Sequence, residues 1–149
     1  MAIICSFFGH RDAPDKMRLR LYDEIKRHVS ERGTDTFYVG GYGNFDNMVS
    51  SILHEIKGLY PHISVYQILA YMPTIENGKS NGIRHPTLYP DGLELVPKKF
   101  AIVYRNRWII NESDYIIAYV SANYGGAYEA LKYARIKHKS IINLAEDVE

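Results

Sequence analysis

One cysteine, Cys5, stands in the 149 residues. That excludes an intramolecular disulfide framework and a multi-cysteine zinc site. Its apolar neighbours read it as a buried thiol rather than a nucleophile. The six histidines are scattered, with no HExxH and no ligand spacing, so neither a metal nor a cofactor is expected. An excess of charge of one sign is lacking too: 18 Lys and Arg stand against 17 Asp and Glu. No global field draws such a chain to a polyanion, so neither nucleic acid nor a membrane is expected as partner. No apolar run nears the ~18 residues of a membrane span. The run Ala2–Phe8 is too short for a signal peptide and has no basic segment before it, so the expected compartment is cytoplasmic. Absent as well are a GxSxG elbow, a GxxxxGK[ST] loop and a GxGxxG after the first strand. These absences disfavour an α/β-hydrolase, ordinary ATP hydrolysis and an NAD dehydrogenase.

What is present is the composition of one globular domain, 46% hydrophobic and 23% charged, spanning 1–149. Ala2–Phe8 is apolar on both faces, as a buried strand must be. From Asp15 to Arg32 apolar residues recur every four positions (Met17, Leu21, Ile25, Val29), which makes one helical stripe with Gly33 as C-cap. Thr36–Val39 reads as a second strand. Asn44 or Asp46 then caps a helix to about Leu59, with Met48, Ile52, Leu53 and Ile56 inward. Ile63–Met72 supplies a third strand. The polar, Gly- and Pro-rich stretch 73–99 is long enough to be a lid or insert. Phe100–Glu112 reads as helix, Asp114–Val120 as strand, Gly125–Lys139 as helix and Ser140–Leu144 as the last strand.

Strands alternating with helices imply an α/β fold: a Rossmann-like, five-stranded, mainly parallel sheet in order 3-2-1-4-5 with helices on both faces. The topological switch then falls between the first and fourth strands, and ligands of such sheets sit at the carboxyl ends beside it. Three turns there carry glycine. After the first strand comes Gly9-His10-Arg11, where Arg11 either grips a phosphate through its planar fork or is a solvated turn residue. After the second comes Gly40-Gly41-Tyr42-Gly43-Asn44-Phe45-Asp46. Its successive amides at a helix start form an anion site, and Asp46 either caps the helix or bonds a ribose. After the fourth comes Ser121-Ala122-Asn123-Tyr124-Gly125-Gly126-Ala127-Tyr128-Glu129. Glu129 either favours the positive helix end or meets ribose hydroxyls, as a binder or as acid and base. Helical spacing puts Arg105 and Trp108 on one face, Trp108 toward the core, and turns Arg107 away. Tyr38, Tyr66, Tyr115 and Tyr119 read as sheet residues; Tyr42, Tyr71 and Tyr124 stand where a base or ribose stacks.

The set Gly9-His10-Arg11, Gly40 to Asp46, Arg105-Asn106-Arg107-Trp108 and Gly125-Gly126-Ala127-Tyr128-Glu129 resembles small bacterial and phage members of the SLOG superfamily. That superfamily takes its name from Smf-type DNA-processing proteins and the LOG enzymes. The resemblance covers nearly the whole chain outside 73–99. It implies a Rossmann-like nucleotide-binding domain that is a homo-oligomer. LOG enzymes cleave the N-glycosidic bond of nucleoside monophosphates with an Arg before the fourth strand and a PGGxGTxxE motif after it. Here Glu129 matches the motif's Glu, while Ser121-Ala122-Asn123 stands in place of Pro-Gly-Gly and Gly126 in place of Thr. Other SLOG domains sense nucleotide-derived signals such as cyclic ADP-ribose species.

Two functions are therefore expected. The first is a binding module, a sensor or sequestering protein for a nucleotide or ADP-ribose derivative. Its ligand-binding residues are Gly9, His10 and Arg11; Gly40, Gly41, Gly43, Phe45 and Asp46; Tyr71; Arg105 and Arg107; and Ser121, Asn123, Gly125, Gly126, Ala127 and Glu129. Arg11 and Arg105 supply charge, Asp46 and Glu129 engage hydroxyls, and 73–99 closes over the base. The alternative is a LOG-like phosphoribohydrolase with Glu129 and Arg105 as its catalytic residues.

Overall fold

The structure, a computed structural model, describes residues 1–71 and 85–146. The elements are β1 (Ile4–Gly9), α1 (Arg18–Glu31), β2 (Thr36–Val39), α2 (Gly43–Leu59), β3 (Ser64–Ile68), β4 (Thr87–Leu88), α3 (Ala101–Glu112), β5 (Tyr115–Tyr119), α4 (Gly126–Ile136) and β6 (Ser140–Asn143). Helices cross from β1 to β2, from β2 to β3 and from β5 to β6, so the chain winds one sheet between two helical layers. Single turns of 3-10 helix cover Asp15–Met17, Leu93–Leu95 and Lys98–Phe100.

Among the described residues all five strand pairings are parallel, and the order is β4-β3-β2-β1-β5-β6. The expected five-strand order is thus present with one strand added at an edge. The correction, six strands rather than five, falls inside the stretch read as a lid. Thr87 and Leu88 lie between Pro86 and Pro90, too short a run to show a period of two. Of the expected 73–99 segment, residues 73–84 lie outside the described residues. Beyond them, β4 pairs with β3, and His85 and Leu93 are buried.

Alternation along the strands sorts the core into two layers. Cys5 and Phe7 of β1, Phe37 and Val39 of β2 and Ile117 of β5 pack with the inward stripes of α1 and α2. Phe8, Tyr38 and Ile116 point the other way, to Ile109 and Ile110 of α3 and Ala130 and Ala134 of α4. The stripe Met17, Leu21, Ile25 and Val29 is buried as its spacing requires. With α1 and α2 on one face and α3 and α4 on the other, the winding reverses between β1 and β5.

Candidate functional site

At the carboxyl ends of β1, β2 and β5 the rim opens into a cleft of about 740 Å³. Gly9, His10, Arg11 and Asp12 line it from the first turn; Gly40, Tyr42 and Asp46 from the second; Ser121, Ala122, Tyr124, Gly125, Gly126 and Ala127 from the turn after β5. Ile102, Arg105 and Asn106 of α3 form a further wall. The three glycine turns therefore meet at one edge, beside the switch point. Several of their backbone amides are already bonded within the protein.

In the second turn, Asp46 fills the anion site from within. Its Oδ2 accepts the Gly41 N–H at 3.0 Å and the Tyr42 N–H at 2.9 Å. Asp46 does not cap α2 in the usual sense: Tyr42 is the N-cap residue, and the carboxylate reaches back one turn to the amides ahead of the helix. Asn44 does not cap either. Its side chain donates to the Ala13 carbonyl at 2.6 Å, and its amide donates to the Arg11 carbonyl at 2.8 Å, stitching the first turn to α2. Burial pushes the Asp46 carboxyl up from 3.8 to about 6, against the downward pull of the two amides and the Arg105 guanidinium.

The turn after β5 is likewise held by a side chain. His10 Nε2 accepts the Ser121 N–H at 3.0 Å and the Ala122 N–H at 3.1 Å. Nε2 must then offer its lone pair, which puts the ring proton on Nδ1. Sequence distance hides this contact, since 111 residues separate His10 from Ser121.

Arg105 is buried and braces two strand ends. Its Nη1 lies 3.4 Å from the carbonyls of Gly40 and Ile68, and its Nη2 donates to Asn106 Oδ1 at 2.8 Å. Its Cζ lies 5.4 Å from the centre of the Tyr42 ring, a cation–π distance. Burial lowers its pKa and Asp46 opposes that. Arg105 thus contributes positive potential from the wall, with its hydrogen-bonding capacity largely used by the protein.

The glycines divide by what a side chain would meet. A Cβ on Gly9 would enter the Phe45 ring, and one on Gly43 would stand 2.7 Å from Arg11 Cα. One on Gly41 would meet Gln67 Nε2 at 2.6 Å. Packing holds Gly9 and Gly43 to glycine, and the positive φ of Gly41 (+108°) and Gly43 (+87°) adds a conformational reason. Gly125 and Gly126 have nothing within 4 Å of such a Cβ, and only Gly125 carries a positive φ, +97°. Gly126 opens α4 with ordinary backbone angles, so neither packing nor conformation calls for glycine there. With no side-chain cap on this helix end, its first amides lie at the cleft.

Other expected site residues stand elsewhere. Phe45 is 0% exposed and belongs to the core beneath Gly9, so it has no surface for a ligand. Arg107 stacks on Tyr133 of α4 at 4.8 Å, outside the cleft. Tyr71 lies under Lys98, with its hydroxyl 3.4 Å from the Lys98 carbonyl. Asn123 is exposed and does not line the cleft. Glu129 does not line it either: its side chain is 65% exposed and lies 3.9 Å from Lys132 one turn on. A residue three positions into a helix can face outward as easily as toward the helix start, and Glu129 faces outward beside Lys132.

Asp12, Ile102, Asn106 and Ala122 also line the cleft and were not among the residues expected there, whereas Tyr124 stands where stacking was expected. Adjacency to Arg11 and Arg105 was the signal for Asp12 and Asn106, and helical spacing from Arg105 the signal for Ile102. Among the described residues no three potential ligands cluster for a metal, and no helix is long and apolar enough to cross a membrane.

No family model and no curated relative matches the sequence. Among solved structures, the X-ray structure of DNA processing protein A (DprA) from Streptococcus pneumoniae is similar, with a TM-score of 0.66 over 94% of this chain at 14% identity. The chain spans 49% of that protein. At this identity the likeness establishes a shared Rossmann-like fold, the fold that the SLOG resemblance implies. It also corrects the expectation that nucleic acid is not a partner. The same fold occurs in a DNA processing protein, and a net charge near zero is a sum that leaves local groupings of cations uncounted.

Proposed function

We propose that this domain binds a nucleotide or ADP-ribose-type ligand in the rim cleft, phosphate toward the start of α4. The observation that carries this reading is Gly126: a glycine at an uncapped helix start, in open space, that the fold itself does not need. A phosphate approaching there meets free amides and the positive helix end, and Arg11 lines the same cleft. Tyr42 and Tyr124, 40% and 74% exposed, border the cleft as platforms for a base or sugar. The amide sites filled by Asp46 and His10 hold the turns in place and leave α4 as the seat for the anion.

Calorimetric titration of the chain with nucleoside mono- and diphosphates and ADP-ribose tests this. Binding that Gly126→Val weakens supports it, and no heat from any member refutes it. A second reading is favoured by the likeness to DNA processing protein A: the nucleotide unit belongs to a nucleic-acid strand. In that case a short oligonucleotide outcompetes the free nucleotide for the same cleft. The hydrolase alternative relied on Glu129, whose carboxylate stands outside the cleft lining, so binding is the preferred reading.

A further inference from the structure

We infer that Asp46 makes the cleft select a ribose over a deoxyribose, an inference that rests on the nucleotide reading above. A carboxylate presents about four acceptor positions on two oxygens. Both backbone amides fall on Oδ2, at 3.0 and 2.9 Å, and neither falls on Oδ1. Those two bonds also lock the side chain in one orientation on the cleft wall. The second turn thus contains its own anion. It repels a phosphate, since its charge is negative and its amides are taken. What it can receive is a donor.

The donor it fits is a sugar hydroxyl. The phosphate seat at α4 follows β5, and Asp46 follows β2, with β1 between them. Two strand spacings separate the walls by about 10 Å, a gap that a nucleoside phosphate bridges with its sugar toward Asp46. Tyr42, on the same turn, lies over Arg105 and borders the cleft. Against its burial, the groups that favour the charge of Asp46 are the Tyr42 and Gly41 amides of its own turn and Arg105 on α3, while His10, Arg11 and Asp12 of the first turn line the same space. Burial lifts the carboxyl to about 6, so near neutral pH it is an ionised acceptor held close to its titration point. A hydroxyl bonding to it favours the ionised form, and the preference for ribose fades as the pH falls through 6.

The test is calorimetry on the whole chain at pH 7.5 with the ribonucleoside 5′-monophosphates of A, G and C and their 2′-deoxy counterparts. The expected result is a preference of about tenfold or more for the ribose member of a pair, because a hydroxyl bonded to a charged acceptor is lost in the deoxy ligand. The ratio shrinks at pH 5, and in Asp46→Asn it drops to within about twofold of unity, since the carboxylate acceptor is gone. Thermal melting verifies that the variant is folded. Equal affinities in the wild-type protein overturn the inference and leave the nucleotide reading standing, as does a folded Asp46→Asn that keeps the full ratio. If none of the six ligands binds, the inference falls, and the nucleotide reading falls with it when nucleoside diphosphates and ADP-ribose give no heat either.

Discussion

Replacing Asp46 by asparagine keeps an oxygen for the Gly41 and Tyr42 amides but removes the ionisation that burial opposes. The sign follows from the direction of the shift. Below pH 3.8 the carboxyl carries its proton both folded and unfolded, and the group has no effect on the pH slope. Between 3.8 and about 6 the unfolded chain gives up the proton while the folded chain retains it, so stability falls as pH rises. Above 6 the loss is complete and constant. At ~1.4 kcal/mol per pH unit, the interval corresponds to about 3 kcal/mol. The side chain is only half-buried, and solvent screening brings the expected figure to about 1–2 kcal/mol. Urea unfolding of wild type and Asp46→Asn across pH 4 to 8 measures it. The variant's advantage should grow by that amount between pH 4 and 7 and then level off. A difference that stays flat, or that shrinks as pH rises, refutes the claim that this carboxyl is ionised against its surroundings.

The remaining predictions separate packing from binding. Gly126→Ala should leave stability within about 1 kcal/mol, because alanine is the better helix former and its Cβ meets nothing. Gly126→Val should cut nucleotide affinity by about tenfold or more, and unchanged calorimetric affinity would remove α4 as the phosphate seat. Phe45→Ala should cost about 3–5 kcal/mol in denaturant melts, as a fully buried ring leaves a cavity under Gly9. His10→Ala strips two amides of their acceptor and should speed hydrogen exchange at Ser121 and Ala122, with a loss of about 1–3 kcal/mol. Chromatography of nucleoside monophosphates incubated with the protein should show no free base; release that Glu129→Gln abolishes would reinstate the hydrolase reading.

Much of the fold was open to reading because its signals are local. The four-residue stripe of α1 and the apolar run of β1 report burial on their own elements, and the alternation of the two element types leaves few ways to wind a sheet. β4 escaped because two residues between prolines carry no period. Similarly, glycine at three strand ends marked the rim, but glycine has two causes that look alike in a sequence. Gly9 makes room for Phe45, whereas Gly126 makes room for nothing in the protein.

Sequence by itself determined which way the chain winds and which edge of the sheet gathers the turns, since both follow from periodicity and the handedness of crossovers. Tertiary structure alone decided which amides remain available at that edge. Asp46 and His10 claim four of them, and the bonds of His10 join residues more than a hundred positions apart. A hydrogen bond depends on where two groups end up in space, and no local pattern encodes that distance.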